Sequence, residues 1–526
     1  MAKPNELLAA SLAELRGVTQ NGTRSVVKSE ELSRVHRERL QGNGFLEEIM
    51  KGWLAVNSRP SANNRIDAAW STVYWEFVAR YLDDRFADAW RLSAEASVAL
   101  WSENHSIPGQ VIVRSPKANN QLVKLPSNTS LYLLRSKENE PAETRERLRL
   151  MPMEEAICNL SPESWRTLAT DVIAVIGSIR GTSTLLQYLL DGGRSHVGGR
   201  IAGALRHLGR TRDADTIIKT LESAGYNPHE DNPFDPAVDL VRLDARRTQA
   251  PSATRIKNLW AKMGKDALNH IGFEQVRIND RDGYISDIDE RYVADALNSL
   301  SIEGYEVSEE LIRRVQDGQW KPDEDAQDYE TKNALAAKGY RLAFEEVRDD
   351  IRKILDGAPT GELLEARHQD WFRAMFSPSV TAGIIKAHQL AGYRSHNVYL
   401  RGSSHVPLPP HAIADAMDAL FESISEESDA RVKAILAPFL FTYIHPFPDG
   451  NGRTARFIMN ALLAECGAPW TVIPVARRDE YMNALEEASG HENIAPLTRF
   501  VSELVNAPPP STEADASHKN TQRKRA

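Results

Sequence analysis

Apolar residues in the C-terminal half of the chain recur at spacings of three and four, and this periodicity limits the fold more than any other feature. Such spacing places apolar side chains along one face of an α-helix. Six segments show it: ERYVADALNSL, DYETKNALAAKGYRLAFEEVRDDIRKIL, HAIADAMDALFESI, ARVKAILAPFLFTYI, TARFIMNALLAECG and DEYMNALEEAS. We therefore expect a mainly α fold here.

Length and composition exclude several classes of protein. At roughly 100 to 200 residues per domain, the 526 residues predict about three domains, each able to bury its own core. The 64 basic residues against 73 acidic ones give a net charge of −9, which argues against a protein that coats nucleic acid. The two cysteines, Cys158 and Cys466, lie far apart, which excludes a disulfide framework and a zinc-ligand set.

The apolar runs of the chain are short. None approaches the roughly 20 residues that a transmembrane helix needs. The first residues, MAKPNELLAASLAELRG, mix acidic and polar side chains with apolar ones, which predicts an amphipathic helix rather than a secretory signal. We expect a cytoplasmic protein that does not associate with a membrane.

Residues 1–57 show the element order of a winged helix. A helix is followed by a polar gap, a second helix opening at Ser29, and a glycine-bounded hairpin. Arg34, Arg37 and Arg39 lie on the second helix, where a recognition helix would contact the phosphates of DNA. Glutamates surround these arginines, which favours a solvated helix face over contact with DNA.

Residues 58–247 have a mixed α and β pattern and no recognisable chemistry. The short strands are expected at 111–114, 122–125 and 130–134, followed by helices that end at glycine. With the winged-helix-like start, this region is similar in pattern to the DNA-binding antitoxins of the AbiEi type. A linker rich in proline and aspartate follows, and residues 507–526, which have almost no large apolar side chain, are expected to be disordered.

The stretch HPFPDGNGRTAR, residues 445–456, lies between two predicted helices and combines several features of an anion site. Pro446 and Pro448 end the first helix. Gly450 and Gly452 permit backbone angles that turn successive N–H groups inward, and the next helix adds its positive N-terminal end. The stretch therefore predicts a loop that binds phosphate.

The charged side chains of this stretch suit a nucleotide. Arg453 and Arg456 are three residues apart and project from one face of the first helical turn, as polyphosphate binding requires. Asp449 is suited to bind Mg²⁺ beside the phosphates. His445 can take a proton near neutral pH, so we expect a hydroxyl that His445 deprotonates to attack a nucleotide phosphate. Phe447 is expected to belong to the core.

HPFPDGNGRTAR resembles the signature of the Fic family, HPFx(D/E)GNGRxxR, at every fixed position. The resemblance extends over residues 285–505 and implies an all-helical core, residues 331–506, with a β-hairpin flap. The usual activity of the family is AMPylation, the transfer of AMP from ATP to a Ser, Thr or Tyr hydroxyl of a target protein. The resemblance implies that His445 is the general base and that Asp449 binds Mg²⁺.

The resemblance also implies roles for the neighbouring residues. The α and β phosphates are expected to be lined by Gly450, Asn451 and Gly452 and held by Arg453, and the γ-phosphate is expected to contact Arg456. The segment 397–406 corresponds to the flap, which would align an extended target segment by strand addition through Val398, Tyr399, Leu400 and Arg401.

A second motif, SLSIEG at residues 299–304, fits the inhibitory pattern of the family, (S/T)xxxE(G/N), with Ser299, Glu303 and Gly304 at its fixed positions. A helix that ends at Gly304 can present Glu303 to a cation, and Arg456 is the expected partner. When paired, this arginine cannot hold the γ-phosphate. Residues 248–330 are therefore expected to contain a linker and an inhibitory helix.

The chain departs from the family near the adenine site. Tyr481 is followed by Met482 where many relatives pair two aromatic residues, and Ser489 stands where asparagine is common. Tyr481 is open to two interpretations, stacking on a base or a place in the core. The unaltered GNGR loop favours nucleotidyl transfer, with ATP as the expected donor.

The sequence favours a self-inhibited, Mg²⁺-dependent protein adenylyltransferase that acts on a target protein with an accessible hydroxyl. Two alternatives remain open. One is the reverse reaction, in which Glu303 positions a water that removes AMP from a modified protein. The other is a DNA-binding, antitoxin-like regulator whose Fic domain senses a ligand. A homodimer also remains open.

Overall fold

The computed structural model describes residues 4–20, 24–57, 70–138, 140–234, 250–317, 328–400 and 402–507. These residues form two compact units. The first contains the described residues up to 251 together with 398–407, and the second contains 252–397 and the described residues from 408 onward. The predicted disordered tail lies outside the described residues, apart from Ala507.

The N-terminal part of the first unit has the expected order of two helices and a hairpin. Its elements are α1 (Pro4–Val18), β1 (Val26–Lys28), α2 (Arg34–Gly42), β2 (Leu46–Met50) and β3 (Trp53–Val56). The strands form an antiparallel sheet in the order β1-β3-β2. Helix α2 begins at Arg34 and not at Ser29, because residues 29–31 form a 3₁₀ turn.

The arginines of α2 contact their own unit. Arg34 is exposed and donates from Nε to Glu38 at 2.7 Å. Arg37 donates to the carbonyl oxygen of Ser29 at 2.8 Å. Arg39 donates to the Oγ of Ser11 at 2.8 Å and so fastens α2 to α1. Two of the three arginines therefore have structural roles, and DNA binding by this helix stays a prediction.

The rest of the first unit is a sheet followed by a group of helices. Its elements are α3 (Trp70–Phe86), β4 (Arg91–Leu92), α4 (Ala94–Trp101), β5 (Gln110–Ser115), β6 (Gln121–Lys124), β7 (Ser130–Arg135), β8 (Glu143–Arg145), β9 (Leu148–Leu150), α5 (Met153–Asn159), α6 (Pro162–Thr167), α7 (Ala169–Ser178), α8 (Ser183–Asp191), α9 (Ser195–His207) and α10 (Thr211–Ser223). The sheet order is β4-β5-β7-β6, with β5 and β7 parallel. The three strands expected from the sequence are confirmed.

Among the described residues, the length and the apolar character of each helix decide whether it could cross a membrane. No single helix in this part of the chain is long and apolar enough to cross a membrane. Helices α7 and α8, which meet at 117°, reach the length and apolar composition of a membrane span only when they are counted together. Residues 170–177 of α7 are buried in the protein.

The second unit is helical, as the periodicity predicts. Its elements are α11 (Pro251–Leu268), α12 (Arg281–Ile302), α13 (Glu309–Gln316), α14 (Asp328–Leu355), α15 (Thr360–Thr381), α16 (Ile413–Glu426), α17 (Ala430–Ile444), α18 (Asn451–Cys466), α19 (Arg478–His491) and α20 (Ala495–Asn506). Helices α17 and α18 are buried on nearly all sides, which explains why their apolar runs are almost continuous. The loop between them therefore starts from a rigid base.

The segment expected to form the β-hairpin flap has the turn but not the strands. Gly402 has a φ of +77°, and the N–H of Ser403 donates to the carbonyl oxygen of Leu400 at 3.2 Å. Among the described residues from 391 to 409, none belongs to a strand. Prolines at 407, 409 and 410 lack the N–H donors that a ladder would need on this side of the turn.

The backbone of the flap segment, residues 397–406, is bonded within the first unit. The hydroxyl of Ser71 donates to the carbonyl oxygen of Leu400 at 3.3 Å, and the N–H of Ile107 donates to that of Ser404 at 2.9 Å. Among the predicted flap residues, Tyr399 is 40% exposed and Val398 is partly buried, while Arg401 lies outside the described residues. Hydrogen bonds within the first unit thus hold part of the flap segment, on which a target peptide was expected to bind as an added strand.

Candidate functional site

His445 is the C-cap of α17 and has left-handed backbone angles, φ 56° and ψ 59°. Its N–H still bonds to the carbonyl oxygen of Phe441 at 2.9 Å. The ring Nδ1 lies 3.3 Å from the carbonyl oxygen of Thr442, a contact in which Nδ1 donates. In the neutral ring Nε2 therefore keeps its lone pair. Burial lowers the pKa of His445 to about 4, so the ring is neutral and able to accept a proton at pH 7.

Phe447 anchors the loop from beneath, as expected. It is fully buried and stacks on Phe372 with ring centroids 4.1 Å apart and planes 7° apart. The side chain of Asn451 accepts from the N–H of Phe447 at 2.9 Å and donates to its carbonyl oxygen at 2.8 Å. Asn451 therefore shapes the loop through its side chain, while its place beside a phosphate stays a prediction.

Replacing Phe447 by alanine is expected to destabilise the protein by about 3 to 5 kcal/mol, because the stacked ring and its cavity are both lost. Phe447→Leu, which keeps most of the volume, should cost less than about 1.5 kcal/mol. Urea unfolding followed by tryptophan fluorescence measures both. A loss under about 0.5 kcal/mol for Phe447→Ala, the range of surface substitutions, would show that the ring does not anchor the loop.

Helix α18 begins directly after the loop and turns its first N–H groups toward it. Gly450 is the N-cap with a φ of +80°, and Thr454 donates the first intrahelical bond, to the carbonyl oxygen of Gly450 at 2.9 Å. The N–H groups of residues 451–453 precede that bond and have no acceptor inside the helix. A β-carbon at Gly450 would lie 2.8 Å from the Phe376 ring, so only glycine fits here.

Arg453 is buried under the loop among aromatic rings. Its guanidinium carbon lies 5.3 Å from the ring centre of Tyr305 and 5.0 Å from that of Phe376. One Nη donates to Asp449 at 3.2 Å. Its Nε is buried and has no hydrogen-bond partner among the described residues. A buried cation with an unused donor is suited to bind an anion.

Arg456 contacts Ser299 and Glu303 of the segment SLSIEG, and the expected pairing of Glu303 with Arg456 is present. Its Nε donates to the Oγ of Ser299 at 2.9 Å, and one Nη donates to Glu303 Oε1 at 2.8 Å and to the Ser299 carbonyl oxygen at 3.0 Å. A β-carbon at Gly452 would lie 2.4 Å from Glu303 Oε1, so the carboxylate rests against the glycine of the loop. The two motifs, 153 residues apart, therefore meet in one site.

The end of α12 presents Glu303 to this arginine. Gly304 has a φ of +83°, its N–H bonds to Ser301, and the N–H of Tyr305 bonds back to Leu300 at 3.1 Å. These two bonds form a Schellman motif, which glycine favours. Burial alone would raise the pKa of Glu303, but the charges of two arginines outweigh it and hold that pKa below its usual value. Glu303 is therefore ionised at pH 7.

The sequence did not indicate two buried polar side chains whose charges interact with that of Arg456. Tyr340 donates from its hydroxyl to Asp295 Oδ2 at 2.6 Å, and both side chains are buried. Burial raises the pKa of Asp295 to about 6, and the charge of Arg456 acts in the opposite direction. These residues lie on α12 and α14, and the helical periodicity marks them only as inward-facing.

A cavity of about 180 Å³ opens beside the loop and is lined by Glu303, Gly304, Tyr305, Lys332, Asn333 and Asp449. Asp449 is 60% exposed at its side chain, and its Oδ1 accepts from the N–H of Gly450 at 2.6 Å. Among the described residues no group of three His, Cys, Asp or Glu side chains could hold a metal. One carboxylate beside a phosphate site suits Mg²⁺, which takes its other ligands from phosphate and water.

Tyr481 lies in the core. It is 6% exposed and its ring stacks on Phe500 with centroids 5.7 Å apart. This place matches the core interpretation of Tyr481. Stacking on a nucleotide base stays a prediction.

Comparison with known proteins supports the motif. The Fic/DOC family model matches residues 360–463. The chain is 39% identical over 113 residues to Protein adenylyltransferase Fic of Nematostella vectensis, covering 21% of this chain and 26% of that protein. It is 36% identical over 117 residues to the protein of the same name from Drosophila virilis, covering 22% and 24%. The chain thus spans about a quarter of the length of these relatives.

A solved structure of Fic-1 from C. elegans is also similar, at 15% identity and a TM-score of 0.36, with 70% of this chain and 99% of that chain covered. The family match covers the loop between α17 and α18 and the helices on either side of it. Residues 360–463 of this chain are therefore a Fic domain.

Proposed function

We propose that the chain is a Mg²⁺-dependent protein adenylyltransferase that its own Glu303 holds inactive. It transfers AMP from ATP to a Ser, Thr or Tyr hydroxyl of a target protein. The observation that carries the proposal is the 2.8 Å contact between Glu303, at the end of α12, and Arg456, on the helix that follows the loop of His445. The relatives named Protein adenylyltransferase Fic support the same activity.

His445 starts the reaction by removing a proton. Its Nε2 takes the proton of the target hydroxyl, and the oxygen attacks the α-phosphorus of ATP. The bond from that phosphorus to the β-bridging oxygen breaks, and pyrophosphate leaves with the bonding electron pair. The low pKa of His445 supports this role, because the ring is already neutral before the target binds.

The loop and α18 hold the phosphates. The free N–H groups of residues 451–453 and the positive helix end stabilise the charge that develops on the α-phosphate. The unused Nε of Arg453 provides a further donor. Asp449 would hold Mg²⁺, which neutralises phosphate charge when bound. Arg456 binds the γ-phosphate once Glu303 releases it.

Glu303 inhibits by competing for Arg456. A carboxylate and a γ-phosphate are both bidentate partners for one guanidinium, so the arginine can serve only one at a time. The Oε1 of Glu303 also lies where a β-carbon of Gly452 would be, against the phosphate loop. ATP that binds beside Glu303 is therefore held with its α-phosphate out of line for attack.

Incubation with ATP labelled at the α-phosphate tests the proposal. Label is expected on protein with Glu303→Gly, in a lysate of the source cell, and is expected to be lost in Glu303→Gly combined with His445→Ala. If no variant transfers label from ATP or from another nucleotide, the proposed activity is wrong.

A second candidate is removal of AMP from a modified protein. Its supporting observation is that Glu303 is ionised and lies against the phosphate loop, where it could accept a proton from an attacking water. This function predicts the opposite effect of substitution. Glu303→Ala would abolish release of label from a target modified beforehand, whereas under the first proposal that substitution raises transfer.

The pH dependence of transfer follows from the pKa of His445. Because the neutral ring is the active form and its pKa lies near 4, the Glu303→Gly variant should keep a constant rate from about pH 8 to pH 6 and lose it only below about pH 5. If the pKa of His445 had the ordinary value for histidine, the rate of transfer would fall to half near about pH 6.5. Initial rates of α-label incorporation, with circular dichroism at each pH as a control for folding, decide between them.

A further inference from the structure

Arg394 lies between the end of α15 and the flap segment and is only 3% exposed. Its backbone N–H and its guanidinium donate to carbonyl oxygens. The backbone N–H donates to Pro446 at 2.9 Å, and Nε donates to His445 at 2.8 Å. Nη1 donates to His396 at 2.9 Å. Nη2 donates to Leu408 and, at 3.4 Å, to Ile444. One side chain thus reaches three separate stretches of backbone.

The acceptors fall into two groups. Ile444, His445 and Pro446 form the C-terminal end of α17 and the start of the catalytic loop. His396 and Leu408 flank the flap segment on its two sides. Carbonyl oxygens at a helix C-terminus carry partial negative charge, which favours a cation here. The planar guanidinium offers donors in a fixed fork, a geometry that lysine cannot reproduce.

The backbone of His445 needs such support. A residue with a β-carbon rarely adopts left-handed angles, and His445 does so at φ 56°. Arg394 bonds to the carbonyl of His445 itself and to those of the residues before and after it. These bonds fix the peptide planes on both sides of the Cα atom and therefore the direction of the imidazole.

We propose that Arg394 is a positioning residue that ties His396 and Leu408, the residues on either side of the flap segment, to the backbone of the catalytic histidine. The direction of the imidazole, and with it the removal of the proton from the target hydroxyl, would then depend on Arg394. This catalytic consequence rests on the proposed function, whereas the mechanical coupling does not.

Amide hydrogen exchange tests the coupling without any enzymatic step. In Arg394→Lys, exchange is expected to rise at least tenfold in residues 395–409 and in residues 442–450 together. Arg255→Lys is the matched control, because Arg255 is 2% exposed and its Nε donates to the side-chain hydroxyl of Tyr443 on α17 at 2.7 Å. It should leave both segments within about twofold of the unchanged protein. Faster exchange in only one segment, or in neither, overturns the proposal.

Kinetics test the catalytic consequence. In the Glu303→Gly background, Arg394→Lys should lower the rate of α-label transfer by about 10- to 100-fold, since small misplacement of a catalytic group has effects of this size. The affinity for ATP, measured by calorimetry, should stay within twofold. If Arg394 had only a structural role, Arg394→Lys would also lower the ATP affinity and the fraction of folded protein. An unchanged rate of label transfer would contradict a positioning role. If Glu303→Gly transfers no label, the proposed function fails, and the exchange experiment still decides the coupling.

Discussion

Replacing Glu303 by glycine is expected to raise the rate of AMP transfer by about 10- to 150-fold. In the proposed mechanism Arg456 leaves Glu303 before it binds the γ-phosphate, and a hydrogen bond between charged groups stabilises a protein by about 1.5 to 3 kcal/mol. At about 1.4 kcal/mol per factor of ten, this range gives the expected increase. Glycine also removes the carboxylate from the phosphate loop, so the α-phosphate can turn toward the attacking hydroxyl.

Matched variants separate charge from shape. Glu303→Gln keeps the length of the side chain and loses its charge, so it should raise the rate less than Glu303→Gly does. Glu306→Gln, an exposed glutamate beyond the end of α12, should leave the rate within about twofold, as surface substitutions do. An equal rate for Glu303→Gly and the unchanged protein would mean that the contact with Arg456 does not inhibit.

Replacing His445 by alanine in the Glu303→Gly background is expected to lower transfer by about 100- to 10,000-fold, the usual contribution of a general base. Under the proposed function the neutral imidazole takes the hydroxyl proton, and alanine leaves no base in its place. The initial rate of α-label incorporation measures this loss.

Binding of ATP controls for damage to the loop. His445→Ala should bind ATP with affinity within about threefold of its parent, because the loop is anchored by Phe447 and Asn451. His491→Ala, at an exposed histidine of α19, should not change the rate. If His445→Ala keeps more than a tenth of the activity, another group removes the proton.

The conformation of the loop could be predicted because it is local. His445, Asp449 and the two glycines lie within a few residues, and helix ends and glycine angles follow from the residues themselves. The pairing of Glu303 with Arg456 spans 153 residues, and the resemblance to the Fic family predicted it. The structure adds a bond that the sequence pattern did not predict, from Arg456 Nε to the Oγ of Ser299.

Other parts of the site depend on contacts that no local pattern marks. Arg394 looks like a surface arginine in the sequence, and only the fold brings carbonyl groups of three stretches around it. Tyr305 follows the inhibitory motif and carries no sign of its place against Arg453. The alternation at 397–401 suggested paired strands, whereas the described part of that segment bonds instead to the first unit, because tertiary contacts outweigh strand propensity.

The central claim is that the site transfers AMP and that Glu303 restrains it. Its most direct test is a parallel incubation of Glu303→Gly with ATP labelled at the α- or at the γ-phosphate. Protein is expected to gain the α-label and not the γ-label, and the unchanged chain is expected to transfer at most a tenth as much. Transfer of the γ-label, or equal α-labelling by the unchanged chain, would contradict it.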